Sequence, residues 1–347
     1  AADLTRTLAE QASAVAYDDL PPPVRALVRQ CVLDYYGVAL AGGDDPLVRL
    51  LLDELSAEGG APQASVIGNG ARLPALSAAL VNGAGGHALD YDDVNLAMPG
   101  HPSVAILPGL LAQAELSRSS GRELVAAFVA GYETACRIGS ALSPGHYDHG
   151  FHATATIGCF GAAAACARLL RLDAEGTAQA LGIAGTQAAG LKSQFGTMCK
   201  PFHAGKASQN GLLAARLAAR GVSSRPDLVE CEQGFAATHG ADFRPAAALA
   251  APRGGFHLYA NLFKYHAACY MTHAPIECGR RLRDEHDLAP DRIAEIRLTV
   301  NRGSDRICNI AAPSDGLEAK FSLRQTVAMA LGGVDTASLG AYSRASA

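Results

Sequence analysis

The chain has 347 residues, of which 49% are apolar and only 18% charged, with 37 glycines, no tryptophan and a net charge of −4. That length allows two domains, and the apolar excess excludes a disordered chain. The slightly acidic balance gives no basic field for nucleic acid, and the nine cysteines, odd in number and without a CxxC pair, point to free thiols in a reducing cytoplasm rather than to disulfides or a zinc ribbon.

Helical periodicity governs roughly the first 240 residues. Residues 4–17 read as an amphipathic helix; carrying Asp3, Arg6 and Glu10, the start of the chain does not resemble a signal peptide. Further helices are expected at 24–41, 46–56, 74–84, 102–116, 123–139, 153–170, 174–191 and 207–219, with a brief extended piece at 64–67. Short loops and abundant alanine and glycine suit closely packed helices. No stretch is long and uncharged enough to span a bilayer.

Beyond Arg225 prolines and glycines loosen the texture. A helix at 273–283 precedes an alternating run, IAEIRLTVN at 293–301, which reads as a strand, and a helix at 323–331 follows. The expected fold is therefore mainly α, with a large all-helical domain over 1–253 and a smaller α+β lid over 254–347.

Four polar clusters interrupt this background. The first, HALDYDDVNLAMPGHPS at 87–103, sets Asp90, Asp92, Asp93, His87 and His101 between two apolar helices. Three acids so close cannot all be ionised comfortably if buried, so one needs a cationic partner or a raised pKa. The bland reading of these acids is capping of the next helix. The second cluster, HYDHGFHAT at 146–154, offers His146, His149 and His152; Gly145 and Gly150 break any helix that would align them on a metal, so no metal is expected and His152 alone is read as facing a pocket. The third, FGTMCKPFHAGKAS at 195–208, reads as a glycine-punctuated loop with Lys200, His203 and Lys206. Lys200 lies among apolar residues and before a proline, which marks it off from a solvated surface lysine. The fourth, LFKYHAACYMTH at 262–273, holds Lys264, His266, Cys269 and His273. No GxSxG elbow or P-loop is present, and Gly68-Asn69-Gly70 lacks the strand–helix context of a dinucleotide site, so cofactor-free acid–base chemistry is the expectation.

Together these stretches resemble the MmgE/PrpD family, which includes 2-methylcitrate dehydratase, cis-aconitate decarboxylase and iminodisuccinate epimerase. HALDYDDVN…GHPS, GFHATATIG at 150–158, FGTMCKPFHAGKAS and KYHAACYMTH at 264–273 carry the resemblance, with support from VLDYYGVALAG at 32–42 and LEAKFSLRQTVAMAL at 317–331. It implies a homodimer and a small polycarboxylate substrate. By position the family's site residues fall on Asp90, His101, His152, Lys200 and Lys264, which are read as catalytic; His203 and Lys206 of the third cluster and Cys269 of the fourth are read as binding substrate. Asp92 and Asp93 are left as structural. Decarboxylases of the family have histidine where this chain has Cys269 and threonine where it has Val94, so the departures favour dehydration, with epimerisation as the runner-up and decarboxylation or an inactive fold behind it. Family members also run on past the KFS motif, which implies an incomplete lid here.

Overall fold

The computed structural model describes residues 3–343. It is mainly α-helical; the described residues hold two short strands, Ala64–Ser65 and Arg72–Leu73, paired antiparallel. Contacts divide the chain into two compact units. Among the described residues, the first comprises those up to Ala88, Asp92–Ser193 and Pro201–Phe263, and the second Leu89–Tyr91, Gln194–Lys200 and those from Lys264 onward.

The first unit contains α1 (Leu4–Ala14), α2 (Pro22–Ala41), α3 (Pro46–Glu58), α4 (Ala75–Ala88), α5 (Pro102–Ser117), α6 (Gly121–Leu142), α7 (Gly145–His149), α8 (Ala153–Leu169), α9 (Ala174–Gly185), most of α10 (Cys199–Ala218), α11 (Phe235–His239) and α12 (Pro245–Leu249). Its centre is built from α4, α5 and α8, which are buried nearly all round, as their apolar sequence on every face requires. Small residues set the spacing. A Cβ on Gly131 of α6 would stand 2.4 Å from the Gly161 carbonyl oxygen of α8, closer than any side chain tolerates. The start of α6 is fixed by a capping box between Ser120 and Glu123.

Two expected boundaries differ. Helix α9 ends at Gly185 rather than running on to 191, because Gly190 is left-handed and Leu191 pairs instead with Phe151. Helix α10 begins at Cys199, so Lys200, His203 and Lys206 lie on a helix and not in a loop; Pro201 sits in its first turn, where a missing N–H costs nothing.

In the second unit α13 (Tyr270–His286) and α16 (Leu323–Leu331) pack together, with the short α14 (Arg302–Ile307) and α15 (Gly316–Ala319) between them in sequence and α17 (Gly340–Ser343) after them. Phe321, Cys308 and Leu323 form one small core, and Ala267, Ala268, Ala319, Met329 and Tyr342 another. The expected strand at 293–301 is not formed. The run alternates, but no segment among the described residues supplies a ladder partner, and Ile296 and Leu298 stay exposed. Alternation alone does not make a strand when its backbone groups lack a neighbour to pair with. No helix among the described residues is long and apolar enough to cross a membrane.

Candidate active site

Each unit gathers one of two polar clusters from the motif residues. In the first unit His87 closes α4, Asp92 lies in the following loop, and His101 and His152 occupy the N-cap positions of α5 and α8. Both Asp92 oxygens lie 2.9 Å from His87 Nδ1, and its Oδ2 is 3.1 Å from His101 Nδ1. The rings of His87 and His101 meet edge to face at 4.6 Å, and His87 stacks on His152 at 5.8 Å. His152 Nδ1 in turn lies 3.1 Å from His203 Nδ1 on α10. A hydrogen bond between two ring nitrogens needs a proton on one and a lone pair on the other, so these two imidazoles hold opposite roles.

Burial pushes the Asp92 carboxyl up, but His101 and His87 together outweigh it and hold it well below the ordinary carboxylate range. Asp92 is therefore an anion clamped between imidazoles. The loop that presents it is tied by a bridge between Asn95 and Gly100. A Cβ on Gly100 would stand 2.9 Å from the Thr154 amide, so only glycine lets the GHPS turn close against α8. Thr154 Oγ1 then accepts the His101 amide at 3.1 Å.

Asp93 performs the capping that the bland reading gave to these acids. Its Oδ1 accepts the Ser103 amide at 3.2 Å, in the first turn of α5, and its Oδ2 accepts the Ser103 hydroxyl. Burial, opposed by the Ser103 hydroxyl, raises its pKa to about 7. His146 is a satisfied core histidine. Its Nδ1 is 2.7 Å from the His239 carbonyl oxygen and its Nε2 2.7 Å from Thr156 Oγ1, and burial lowers its pKa to about 4. With both nitrogens engaged it has no lone pair for a metal ion.

The second unit contains the other cluster. Asp90 adopts a left-handed backbone, φ +50°, and is buried. Its Oδ1 accepts Lys200 Nζ at 2.8 Å and Lys264 Nζ at 3.0 Å, and its carbonyl oxygen accepts Lys264 Nζ at 2.6 Å. The Phe195 and Phe321 rings flank the Lys200 ammonium at 5.5 and 5.2 Å. Two buried ammonium groups thus share one carboxylate oxygen. Cys269 stands at the N-cap of α13; its thiol is drawn down first by a hydrogen bond from Cys308, against burial. Three residues earlier, His266 bridges Thr336 Oγ1, at 2.8 Å, and Glu277 Oε1, at 2.9 Å.

The structure therefore joins His101, His152 and His203 in one cluster and Asp90, Lys200, Lys264 and Cys269 in the other. Lys206 is turned elsewhere: its ammonium donates to Gln209 on its own helix. Sequence reasoning passed over His87 and Asp92 as site residues. The signal available was a histidine ending an otherwise apolar helix, five positions before an acid.

Comparison with known proteins agrees with the motifs. The MmgE/PrpD N-terminal domain matches residues 6–247 and the MmgE/PrpD C-terminal domain residues 266–343. A cis-aconitate decarboxylase of Aspergillus terreus is 29% identical over 324 residues, covering 88% of this chain and 66% of that protein. The Homo sapiens cis-aconitate decarboxylase is 37% identical over 179 residues, which is 50% of this chain and 37% of that protein, and the Mus musculus one is 33% identical over 179 residues, 50% of this chain and 36% of that protein. The chain thus spans less than two thirds of the length of these relatives.

Proposed function

The chain belongs to the MmgE/PrpD family, and on that premise we propose that it is a lyase that removes a proton α to a carboxylate of a small di- or tricarboxylate, without a cofactor. The observation that carries this reading is the ionised Asp92 held against His87 and His101. A carboxylate against Nδ1 fixes the ring tautomer and favours uptake of a proton at the opposite nitrogen, which is what a general base requires. The α proton of a carboxylate is weakly acidic, so the enediolate left behind needs positive charge placed in advance. Lys200 and Lys264 supply that charge and bind the substrate carboxylates.

In this reading His101 and His152 exchange protons with substrate, one as base and the other as acid, with His203 setting the tautomer of His152. Asp90 is the carboxylate that holds the two lysines in place, and Asp92 orients a histidine. Cys269 contributes a thiol near the lysine pair. The main reaction we assign is dehydration: the base takes the α proton, the acid protonates the β-hydroxyl, and water leaves as the double bond forms. A thiol at position 269, where the family's decarboxylases have histidine, supports this choice.

A second reading, decarboxylation of cis-aconitate, is favoured by the names of the relatives. Incubation of the protein with 2-methylcitrate, citrate, cis-aconitate and iminodisuccinate in D₂O separates the reactions. Dehydration produces a new alkene absorbance, decarboxylation releases CO₂, and epimerisation leaves only deuterium in recovered substrate. Silence with all four, or equal rates in wild type and Lys200→Ala, sinks the lyase reading for these compounds.

A further inference from the structure

One buried lysine of the second unit has no part in the chemistry above. Lys320, in the KFS stretch, is buried, and its Nζ donates to the Leu89 carbonyl oxygen at 2.5 Å. The next carbonyl along, that of Asp90, accepts Lys264 at 2.6 Å. Two consecutive peptide oxygens are therefore held by two ammonium groups, and the residue between them in this clasp is the left-handed Asp90. An L-residue other than glycine keeps that conformation only when its surroundings impose it.

We propose that Lys320 is a positioning residue that clamps the Leu89–Tyr91 turn, so that the Asp90 carboxylate faces Lys200 and Lys264. Three features support this role. The ammonium is spent on a backbone oxygen, and an uncompensated buried ammonium would be strongly disfavoured, so the bond is strongly held. The Lys320 carbonyl accepts the Cys269 amide at 3.1 Å, so one residue ties both the Asp90 turn and the start of α13. Tyr342 places its ring 5.4 Å from the Lys320 ammonium, and the Tyr91 hydroxyl donates to the Tyr265 carbonyl at 3.2 Å, closing the turn from its other end. Lys320 reaches the Asp90 turn through the backbone, at the Leu89 carbonyl.

Only the turnover arm of the test rests on the lyase reading. Lys320→Met keeps the aliphatic stem and removes the donor. Hydrogen exchange in the peptide covering residues 89–92 is expected to rise at least tenfold while α13 and α16 keep their protection, and turnover of the accepted polycarboxylate is expected to fall at least tenfold. Lys320→Arg, which keeps charge and donors, is expected to restore both. Lost turnover with unchanged exchange at 89–92 overturns the proposal, because Lys320 would then act on substrate directly. Exchange that rises equally through α13 and α16 overturns it as well, because the role would then be general stability. Should Lys320→Met fail to fold, exchange in the wild-type protein decides: protection at 89–92 comparable to that of α13 supports the clamp, and free exchange refutes it. A protein that turns over no polycarboxylate refutes the lyase reading and leaves the exchange arm standing.

Discussion

Both carboxylate oxygens of Asp92 lie 2.9 Å from Nδ1 of His87, and neither residue is open to solvent. The same carboxylate reaches His101, so a change at Asp92 disturbs two imidazoles at once. Asp92→Asn keeps the volume and one acceptor but lets the rings adopt the wrong tautomer. Turnover is expected to fall about 10- to 100-fold, the usual cost of losing a carboxylate that orients a histidine. Steady-state kinetics on the accepted polycarboxylate check this, with circular dichroism confirming the fold; a loss under about threefold would remove Asp92 from the machinery.

The Asp90 cluster predicts an asymmetry between its members. Lys200→Met leaves Asp90 paired with Lys264, so the fold is balanced and the loss falls on the ligand: KM is expected to rise about 10- to 100-fold, the worth of one charged hydrogen bond. Asp90→Asn instead leaves two buried ammonium groups facing each other, and stability is expected to drop by about 3–5 kcal/mol. Urea unfolding of the two variants side by side tests the ordering. A Lys200→Met protein less stable than Asp90→Asn would contradict it.

The helices were legible in the sequence wherever apolar residues recur at helical spacing and a proline opens the run, as at Pro102 and Pro46. The start of α10 was not, because Gly196 and Pro201 read as loop residues while in fact one precedes the helix and the other sits in its first turn. The polar clusters were legible as clusters. Which acid does what was hidden: Asp90, Asp92 and Asp93 are near neighbours in sequence, and the left-handed turn at Asp90 sends the three side chains to two lysines, two histidines and a helix N-terminus respectively. Backbone torsions decide that, and no composition or periodicity reports them. The run at 293–301 shows the opposite failure, a strand pattern without a partner.

Close helix approach gives a stability prediction. A methyl group on Gly131 would meet the Gly161 carbonyl oxygen at 2.4 Å and the Ala165 Cβ at 2.7 Å. Gly131→Ala is expected to destabilise the protein by about 1–2 kcal/mol, overpacking outweighing the gain of up to about 1 kcal/mol in helix propensity. On α2 a Cβ at Gly37 meets nothing within 4 Å, so Gly37→Ala is expected to stabilise by up to about 1 kcal/mol. Opposite shifts of the thermal midpoint confirm the pair; shifts of one sign would not.

His146 makes the fold less stable as pH falls. Burial holds its pKa at about 4 in the folded protein, below the ordinary value of 6.5. The unfolded chain therefore binds a proton through the window from about 6.5 down to about 4 that the folded chain refuses, and stability falls as pH drops across it. Between pH 7 and pH 5 this one group removes about 2 kcal/mol. His257 and His273, also held at about 4 by burial, act in the same direction. The His146 share is isolated by His146→Gln. That variant is expected to be less stable at pH 7, where it loses the bonds to His239 and Thr156, yet to lose about 2 kcal/mol less than wild type on moving to pH 5. Urea unfolding at the two pH values measures the difference of slopes. Equal slopes would mean that the His146 imidazole accepts a proton inside the fold as readily as outside it.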